Sequence, residues 1–239
     1  MSEENVINLY NPQFYQQRAQ EFVEESLMWI GEGKWIKAKE CVEQAIELNP
    51  VKVEYMSLAA HISYELGEFE LAEFYMEQVV KERHMDDQLQ YVYGVILLKV
   101  KKFDEAQNVF EGLLNWDVIN DPDNIERRSI IMYCLYEINF EKKEFNRAME
   151  ILEAIKIEKQ INVDFEMASL NWLEGNFKKA IIHGEEALVR YPDRIILYGI
   201  VVDSFKELDE YEKALEWLRQ KQEEFPDLDL SLQIKSLEQ

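Results

Sequence analysis

The chain has 239 residues, 47% of them hydrophobic, and contains only 8 glycines and 5 prolines. This composition supplies a buried core and argues against a β-rich fold with many tight turns and against long disordered linkers. The formal net charge of −22 argues against nucleic acid and anionic membranes as partners, because both repel an acidic chain. A basic or neutral protein partner is compatible with this charge.

The sequence carries no signal for secretion or membrane insertion. Its first residues lack a basic segment followed by an apolar run, and no stretch approaches about 18 consecutive apolar residues. Cys41 and Cys134 belong to no CxxC pair and lie in apolar helical stretches, so we interpret both as small core residues rather than disulfide partners or zinc ligands. We therefore expect a cytoplasmic protein.

Residues 1–11 form the first segment, an arm whose larger apolar side chains are Val6, Ile7, Leu9 and Tyr10. Two interpretations are open for this arm: a frayed terminus, or a segment that docks on the chain itself or on a partner. Asn11 and Pro12 then give a helix start signal, because asparagine caps free backbone N–H groups and proline fits the first helical position. We predict a first helix from Pro12 to Trp29 or Ile30.

A short pattern, aromatic-x-x-Ala, recurs six times along the rest of the chain. It begins at Trp35, Phe69, Phe103, Phe145, Phe177 and Tyr211. The alanines follow one another at intervals of 34, 34, 42, 32 and 34 residues. In three repeats glycine stands two positions before the aromatic residue, and in three repeats proline stands twelve positions after the alanine. Because glycine suits a helix end and proline stops a helix, each unit is predicted to be a helix, a turn and a second helix.

The two helices of each pair are predicted to approach closely at the alanine. Twelve residues before it the side chain is often small, as at Ser26, Ala60, Gly94 and Ala168. Since one helix pair cannot bury its apolar stripe alone, neighbouring pairs must stack and share a core.

With several positions recurring in phase, residues 19–226 resemble the tetratricopeptide repeat family. The resemblance implies an all-α, right-handed superhelical solenoid of about six helix pairs over residues 12–226, in which the first helix of each pair lines a concave face. Three positions depart from the family pattern. His84 replaces a proline, Gly184 stands at a usually larger core position, and Lys221 stands at a usually apolar one.

The 42-residue interval holds eight extra residues near 115–124, where Asp, Asn and Pro predict a loop or turn between repeats three and four, or a partial lengthening of their helices. The small position of the fourth first helix is then either Cys134, with a local insertion, or Tyr136, without one. Trp116 is interpreted as a core-filling residue or as a contact residue. At the other end, apolar residues within 227–239 predict a final helix, from about Asp229 to Leu237, that caps the last repeat.

No catalytic or cofactor motif is present in the sequence. It contains no GxxxxGK[ST] phosphate loop, no HExxH or Cys–His cluster and no GxSxG elbow. His61, His84 and His183 lie in different repeats and share no ligand spacing. Together with a repeat that covers most of the chain, this predicts a non-enzymatic protein without a cofactor or a metal.

The family resemblance also implies a peptide-binding groove, to which the fifth, ninth and twelfth residues of each repeat contribute. The predicted groove residues of this chain are Val23, Leu27, Ile30, His61, Tyr64, Tyr91, Val95, Leu98, Tyr133, Phe140, Phe165 and Trp172. Family members that capture acidic C-terminal tails carry Lys, Arg and Asn there, so this kind of partner is rejected. We expect an apolar or basic protein segment instead, with self-association and filling by residues 1–11 also open.

The predicted function is that of an interaction scaffold or adaptor, which binds a partner segment in this groove. One alternative is a cytoplasmic chaperone that shields apolar segments of a client, such as a secretion substrate. Another is a regulatory subunit or peptide sensor. One unstable client at a fixed stoichiometry would indicate the chaperone, and several stable partners would indicate the scaffold.

Overall fold

The computed structural model describes residues 12–159 and 163–237, which form thirteen helices and no strand. The helices are α1 (Pro12–Gly31), α2 (Trp35–Leu48), α3 (Val53–Glu65), α4 (Phe69–Glu82), α5 (Asp87–Lys99), α6 (Phe103–Asn120), α7 (Ile125–Glu141), α8 (Phe145–Lys159), α9 (Asp164–Leu173), α10 (Phe177–Arg190), α11 (Ile195–Glu207), α12 (Tyr211–Glu224) and α13 (Ser231–Lys235). None of these helices is both long enough and apolar enough to cross a membrane. The arm predicted for residues 1–11 lies outside the described residues.

The chain divides into two compact units, Met1–Trp116 and Asp117–Gln239, and the boundary falls within α6. In the first unit α1 packs on α2, α2 on α3, α3 on α4, and α4 on α5. In the second unit α7 packs on α8, α9 on α10, α10 on α11, and α11 on α12, while α13 lies against α11 and α12. The chain is therefore an all-α solenoid of helix pairs, as the sequence predicts.

The same turn joins the two helices of every pair. The residue two positions before the aromatic residue has a positive φ in all six turns: Gly33 (71°), Gly67 (77°), Lys101 (61°), Lys143 (61°), Gly175 (75°) and Asp209 (58°). The N–H of this residue donates to the carbonyl of the residue three positions earlier, as Gly33 does to Ile30. The N–H of the following residue donates to the carbonyl five positions before itself, as Lys34 does to Trp29. These bonds satisfy carbonyl groups that a helix end leaves without partners.

The aromatic-x-x-Ala pattern marks where the second helices begin and where the two helices of a pair cross. All six second helices start at the aromatic residue. The six alanines have no exposed surface: Ala38, Ala72, Ala106, Ala148, Ala180 and Ala214. In the first pair the Ser26 hydroxyl donates to the Ala38 carbonyl at 2.8 Å. In the third pair a Cβ added at Gly94 would lie 2.8 Å from the Phe110 ring, so the close approach requires a glycine there.

The eight extra residues of the long interval lengthen the helices on either side of a short turn. Helix α6 has 18 residues and α7 has 17, against 14 for α2, α4, α10 and α12. The Asn124 side chain accepts a hydrogen bond from the Arg127 N–H at 3.2 Å and thereby caps α7. Because the turn at Lys143 has the usual hydrogen bonds, Tyr136 occupies the crossing position without a local insertion. Trp116 is 45% exposed and does not fill a core.

Gly184 stands where the tetratricopeptide repeat pattern usually has a larger side chain, and close packing explains the glycine. A Cβ added there would lie 2.5 Å from a methyl group of Val201 on α11.

The end of the chain is capped mainly by one buried side chain. Leu230 is fully buried against the core of the second unit, and its N–H donates to the Gln222 side chain at 3.0 Å. Helix α13 has only 5 residues and is shorter than the helix predicted between Asp229 and Leu237. Leu232, which belongs to the predicted apolar pattern, is 75% exposed.

Candidate functional site

The twelve predicted groove residues all lie on first helices of the pairs, namely α1, α3, α5, α7 and α9. None of them is fully buried. Leu27 is 52% exposed, Trp172 is 37% exposed, His61 is exposed, and the other nine are half-buried. These side chains therefore keep surface that a partner could contact, and we call them the first-helix residues.

In the first unit the aromatic first-helix residues are held by rings of neighbouring second helices. Tyr64 meets Phe69 at 5.5 Å between ring centroids, and Tyr91 meets Phe110 at 6.0 Å. His61 packs edge-on against the tryptophan that opens α2, at 5.7 Å. Such edge-to-face pairs add about 0.5–1.5 kcal/mol beyond the burial of area, so they hold these rings in fixed orientations.

In the second unit the aromatic side chains form a row along one helix. Tyr133 lies 6.5 Å from Tyr136, which lies 6.0 Å from Phe140, and Phe140 lies 5.9 Å from Phe145 at the start of α8. The spacing of three and four residues along α7 places the first three rings on one face of the helix. Tyr136 was not predicted as a site residue, although this spacing is visible in the sequence.

Glu166 on α9 is a half-buried carboxylate. Burial is the main cause that raises its pKa, with a smaller contribution from Asp164, while its own backbone N–H and the Arg194 guanidinium act against the shift. Burial first, and then the charge of Glu166, raise the pKa of Tyr136 to about 12 and also raise the pKa of Tyr133. Sequence analysis did not identify Glu166, because acidic residues are abundant throughout the chain.

The connection between α10 and α11 brings two further side chains to this region. The Arg194 guanidinium lies 5.8 Å from the centroid of the Phe165 ring and 5.6 Å from that of Tyr191. The Tyr198 hydroxyl donates to the Pro192 carbonyl at 2.9 Å and fixes the connection. Tyr191 and Arg194 lie outside the repeat positions that are expected to bind, so the sequence pattern gave no signal for them.

A cluster of charged side chains joins α8, α9 and α10. Lys156 Nζ lies 2.7 Å from Asp164 Oδ1, His183 Nδ1 lies 3.0 Å from the same oxygen, and Glu186 Oε2 lies 3.5 Å from both Lys156 and His183. Burial would raise the pKa of Asp164, but the hydrogen bonds that join it to Lys156 and His183 outweigh burial and lower the pKa. The hydrogen bond to Asp164 raises the pKa of Lys156.

This cluster also has the spacing of a metal site, since ligand atoms of Asp164, His183 and Glu186 lie within 4.8 Å of one another. Lys156 already supplies the positive charge at this place, and we interpret the cluster as an ion-pair network that joins helices. Sequence analysis could not identify this network, because its members come from three helices.

A separate cleft of about 400 Å³ opens in the first unit, between the connection from α4 to α5 and helix α6. Its apolar lining includes Val109 and Leu113 together with Met85, which is 83% exposed, and Trp116. The cleft could receive an apolar side chain. Among its lining residues, sequence analysis had singled out Trp116 and His84.

One family model matches a single helix pair of the chain. Residues 53–83, which form α3 and α4, match the model of the tetratricopeptide repeat. No curated protein matches the chain.

Solved structures with a similar fold include two tetratricopeptide repeat proteins and PilF. A tetratricopeptide repeat protein from Parabacteroides merdae has a TM-score of 0.65 and 17% identity, over 85% of this chain and 78% of that one. PilF of Pseudomonas aeruginosa has a TM-score of 0.57 and 17% identity, over 94% and 98%. YrrB, a tetratricopeptide repeat protein with an unusual peptide-binding site, has a TM-score of 0.56 and 19% identity, over 83% and 99%. Residues 53–83 thus match a tetratricopeptide repeat, and the other five helix pairs, which have the same turn and crossing, give the chain the fold of tetratricopeptide repeat proteins.

Proposed function

We propose that the first-helix residues of this protein-interaction scaffold bind an apolar segment of a partner protein, in a helical or extended form. The observation that carries the proposal is that twelve recurring positions present apolar and aromatic side chains that are only partly buried. Partly exposed apolar side chains of this kind tend to mark interaction sites. Aromatic rings add a large and rigid contact area at a small cost in conformational entropy.

The charge of the chain favours a neutral or basic partner segment over an acidic one. The chain has a formal net charge of −22, and none of the twelve first-helix residues is a lysine or an arginine. An acidic segment would find no cation among them, whereas a neutral or basic segment meets no repulsion. The peptide-binding site of YrrB supports the proposal that a fold of this type accepts a peptide.

The test is a selection of short random peptides displayed on phage, made against the full chain, followed by affinity measurements with synthetic peptides. Tyr91→Ser removes an aromatic first-helix residue in the first unit, and Tyr133→Ser removes one in the second. We expect each selected peptide to lose affinity at least about 10-fold with one of these variants, because buried aromatic residues dominate such interfaces.

Exposed aromatic residues on second helices provide the matched controls. Phe74 on α4 is 57% exposed and Tyr211 on α12 is 50% exposed. Phe74→Ser and Tyr211→Ser should leave the affinity within about 2-fold, because these residues lie outside the proposed surface. Circular dichroism verifies that all four variants stay folded. Equal losses in the controls, or no loss in the first-helix variants, would contradict the proposal.

A further inference from the structure

We infer that Asp164, His183 and Glu186 form a site in the second unit that binds one divalent transition-metal ion, with zinc as the representative. Lys156 and the metal ion are alternatives at this place, because the same two carboxylates face both cations. The inference goes beyond the proposed function, since it concerns a different class of ligand and does not depend on a partner segment.

The donor atoms of this site are spaced like the ligands of one tetrahedral zinc ion. Bonds of about 2.0–2.2 Å from zinc to nitrogen or oxygen place neighbouring ligands about 3.3–3.6 Å apart. His183 Nδ1 lies 3.0 Å from Asp164 Oδ1 and 3.5 Å from Glu186 Oε2. All three donors lie within 4.8 Å of one another, and the Glu186 side chain is 51% exposed, so its carboxylate can adjust to the metal.

Two helices that pack on each other hold these donors in place. Asp164 is the first residue of α9, and its side chain is only 6% exposed. His183 and Glu186 lie three residues apart on α10, a spacing that puts both side chains on one face of the helix. Since α9 packs on α10, helix packing sets the separation of the donors, and little ordering remains when an ion binds.

In this structure the cation between the two carboxylates is the ammonium group of Lys156. Its Nζ lies 2.7 Å from Asp164 Oδ1 and 3.5 Å from Glu186 Oε2, so the oxygen atoms that a metal would need already bind a positive charge. The Lys156 side chain is 39% exposed and can turn into water, which leaves the fourth ligand position to a water molecule. A divalent ion would neutralise both carboxylates, whereas the lysine neutralises one.

The types of donor favour zinc and its first-row neighbours over magnesium and calcium. Imidazole nitrogen suits zinc, copper and nickel, whereas calcium and magnesium take six or more oxygen ligands. His183 must then present an unprotonated Nδ1, so its proton lies on Nε2 and the hydrogen bond to Asp164 is exchanged for a bond to the metal. Among residues 12–159 and 163–237 this is the one group of three donors close enough to share an ion.

The experiment is calorimetric titration of the full chain with Zn²⁺, in an excess of Mg²⁺ that occupies ordinary surface carboxylates. We expect one zinc ion per chain. His183→Gln should lower the zinc affinity at least about 10-fold, because one ligand is lost. Lys156→Leu should raise it about 5-fold, because the ammonium group no longer competes for the carboxylates.

The opposite signs separate a metal site from a merely structural network. Both substitutions break the same ion-pair network, so damage to the fold would lower the zinc affinity in both variants. His84→Gln changes an exposed histidine of the first unit, and Lys178→Leu removes an exposed lysine from α10 with the same change in net charge as Lys156→Leu. Both controls should bind zinc within about 2-fold of wild type. Circular dichroism verifies that all four variants stay folded.

Three results would overturn the inference. Excess Mg²⁺ abolishes the binding of zinc, or His183→Gln binds zinc as tightly as wild type, or Lys156→Leu binds it no more tightly than Lys178→Leu. The first two would assign the zinc to scattered surface groups, and the third would mean that lysine and metal do not compete. The proposed function is tested with peptides and the Tyr91 and Tyr133 variants, so it survives each of these results.

Discussion

In the first unit Tyr64 and Tyr91 each pair with one ring of a second helix, whereas in the second unit the rings of α7 form a row that ends on Phe145 of α8. The two units also differ in the kind of polar side chain that they bury. Among the described residues of the first unit they are Ser26 and Ser63, and in the second unit they include Asp117, Arg128, Asn139, Asp164 and Asn171. Among the described residues, the first unit thus buries only hydroxyl groups as polar side chains, whereas the second unit also buries charged and amide groups.

The largest expected effect is the loss of the ion-pair network of the second unit. Asp164→Ala should lower the free energy of unfolding by about 2–3 kcal/mol, because the Asp164 side chain is only 6% exposed and Lys156 and His183 would lose their shared partner. Urea denaturation measures the change. In the first unit Arg83→Ala breaks an exposed ion pair with Glu54 and should cost less than about 1 kcal/mol. Equal costs would contradict the proposed difference between the units.

The same network predicts how stability depends on pH. The folded-state pKa of Asp164 is lowered, so its contribution is present above the ordinary aspartate pKa of about 4 and is lost as pH falls through the folded value. The folded-state pKa of Lys156 is raised, so its contribution is present below the ordinary lysine pKa of about 10.4 and is lost as pH rises through the folded value. Urea denaturation across pH should show both losses in wild type and weaker ones in Asp164→Ala.

The next largest effect is expected where helices pack closely. Each unit has one tightly packed glycine, so the two units can be compared. Gly184→Ala and Gly94→Ala should each lower the free energy of unfolding by about 1–3 kcal/mol, because the added methyl would lie 2.5 Å from Val201 and 2.8 Å from Phe110 respectively. Gly112→Ala and Gly199→Ala are the controls.

At both control positions an added Cβ would meet nothing within 4 Å. There the higher helix propensity of alanine should raise the free energy of unfolding by up to about 1 kcal/mol. Thermal or urea denaturation measures all four variants. A loss at Gly112 or Gly199 as large as that at Gly184 would mean that close contact is not the cause.

A smaller effect is expected at the turns. Lys101 in the first unit and Lys143 in the second have φ values of 61°, which glycine adopts without strain. Lys101→Gly and Lys143→Gly should therefore raise the free energy of unfolding by about 0.5–1 kcal/mol in both units. The reverse change, Gly67→Ala at a φ of 77°, should lower it by about 1 kcal/mol. If the lysine variants lose stability or Gly67→Ala gains it, the positive φ is not a source of strain at these turns.

The smallest expected effect concerns Glu166, the half-buried carboxylate on α9. Glu166→Gln should raise the free energy of unfolding at neutral pH by a few tenths of a kcal/mol, because burial disfavours the carboxylate. Its raised pKa means that wild-type stability increases as pH falls from the folded value toward the ordinary glutamate value, and Glu166→Gln should lack this increase. Glu137→Gln should change little, and a loss of stability in Glu166→Gln would contradict the account.

The repeat could be predicted from the sequence because its signals are local. The aromatic residue marks the start of each second helix, and the alanine marks each crossing, so both follow from spacing alone. Glycine marks the turn in only three of the six pairs. In the other three, Lys101, Lys143 and Asp209 adopt the same positive φ. This left the phase of the fourth repeat open between Cys134 and Tyr136.

The ion-pair network could not be predicted because its parts meet only in the folded chain. Lys156 lies on α8, Asp164 on α9, and His183 on α10, so no spacing joins them. The burial that raises the pKa of Glu166 is likewise a property of packing and not of local sequence.

The central claim is that first helices, and not second helices, contact the partner. A selected peptide that carries a photo-reactive benzophenone can be cross-linked to the full chain, and mass spectrometry then identifies the modified residues. The account predicts cross-links on α1, α3 and α5, or on α7, α9 and α11, and their loss with Tyr91→Ser or Tyr133→Ser. Cross-links concentrated on α2, α4, α6, α8, α10 or α12 would contradict it.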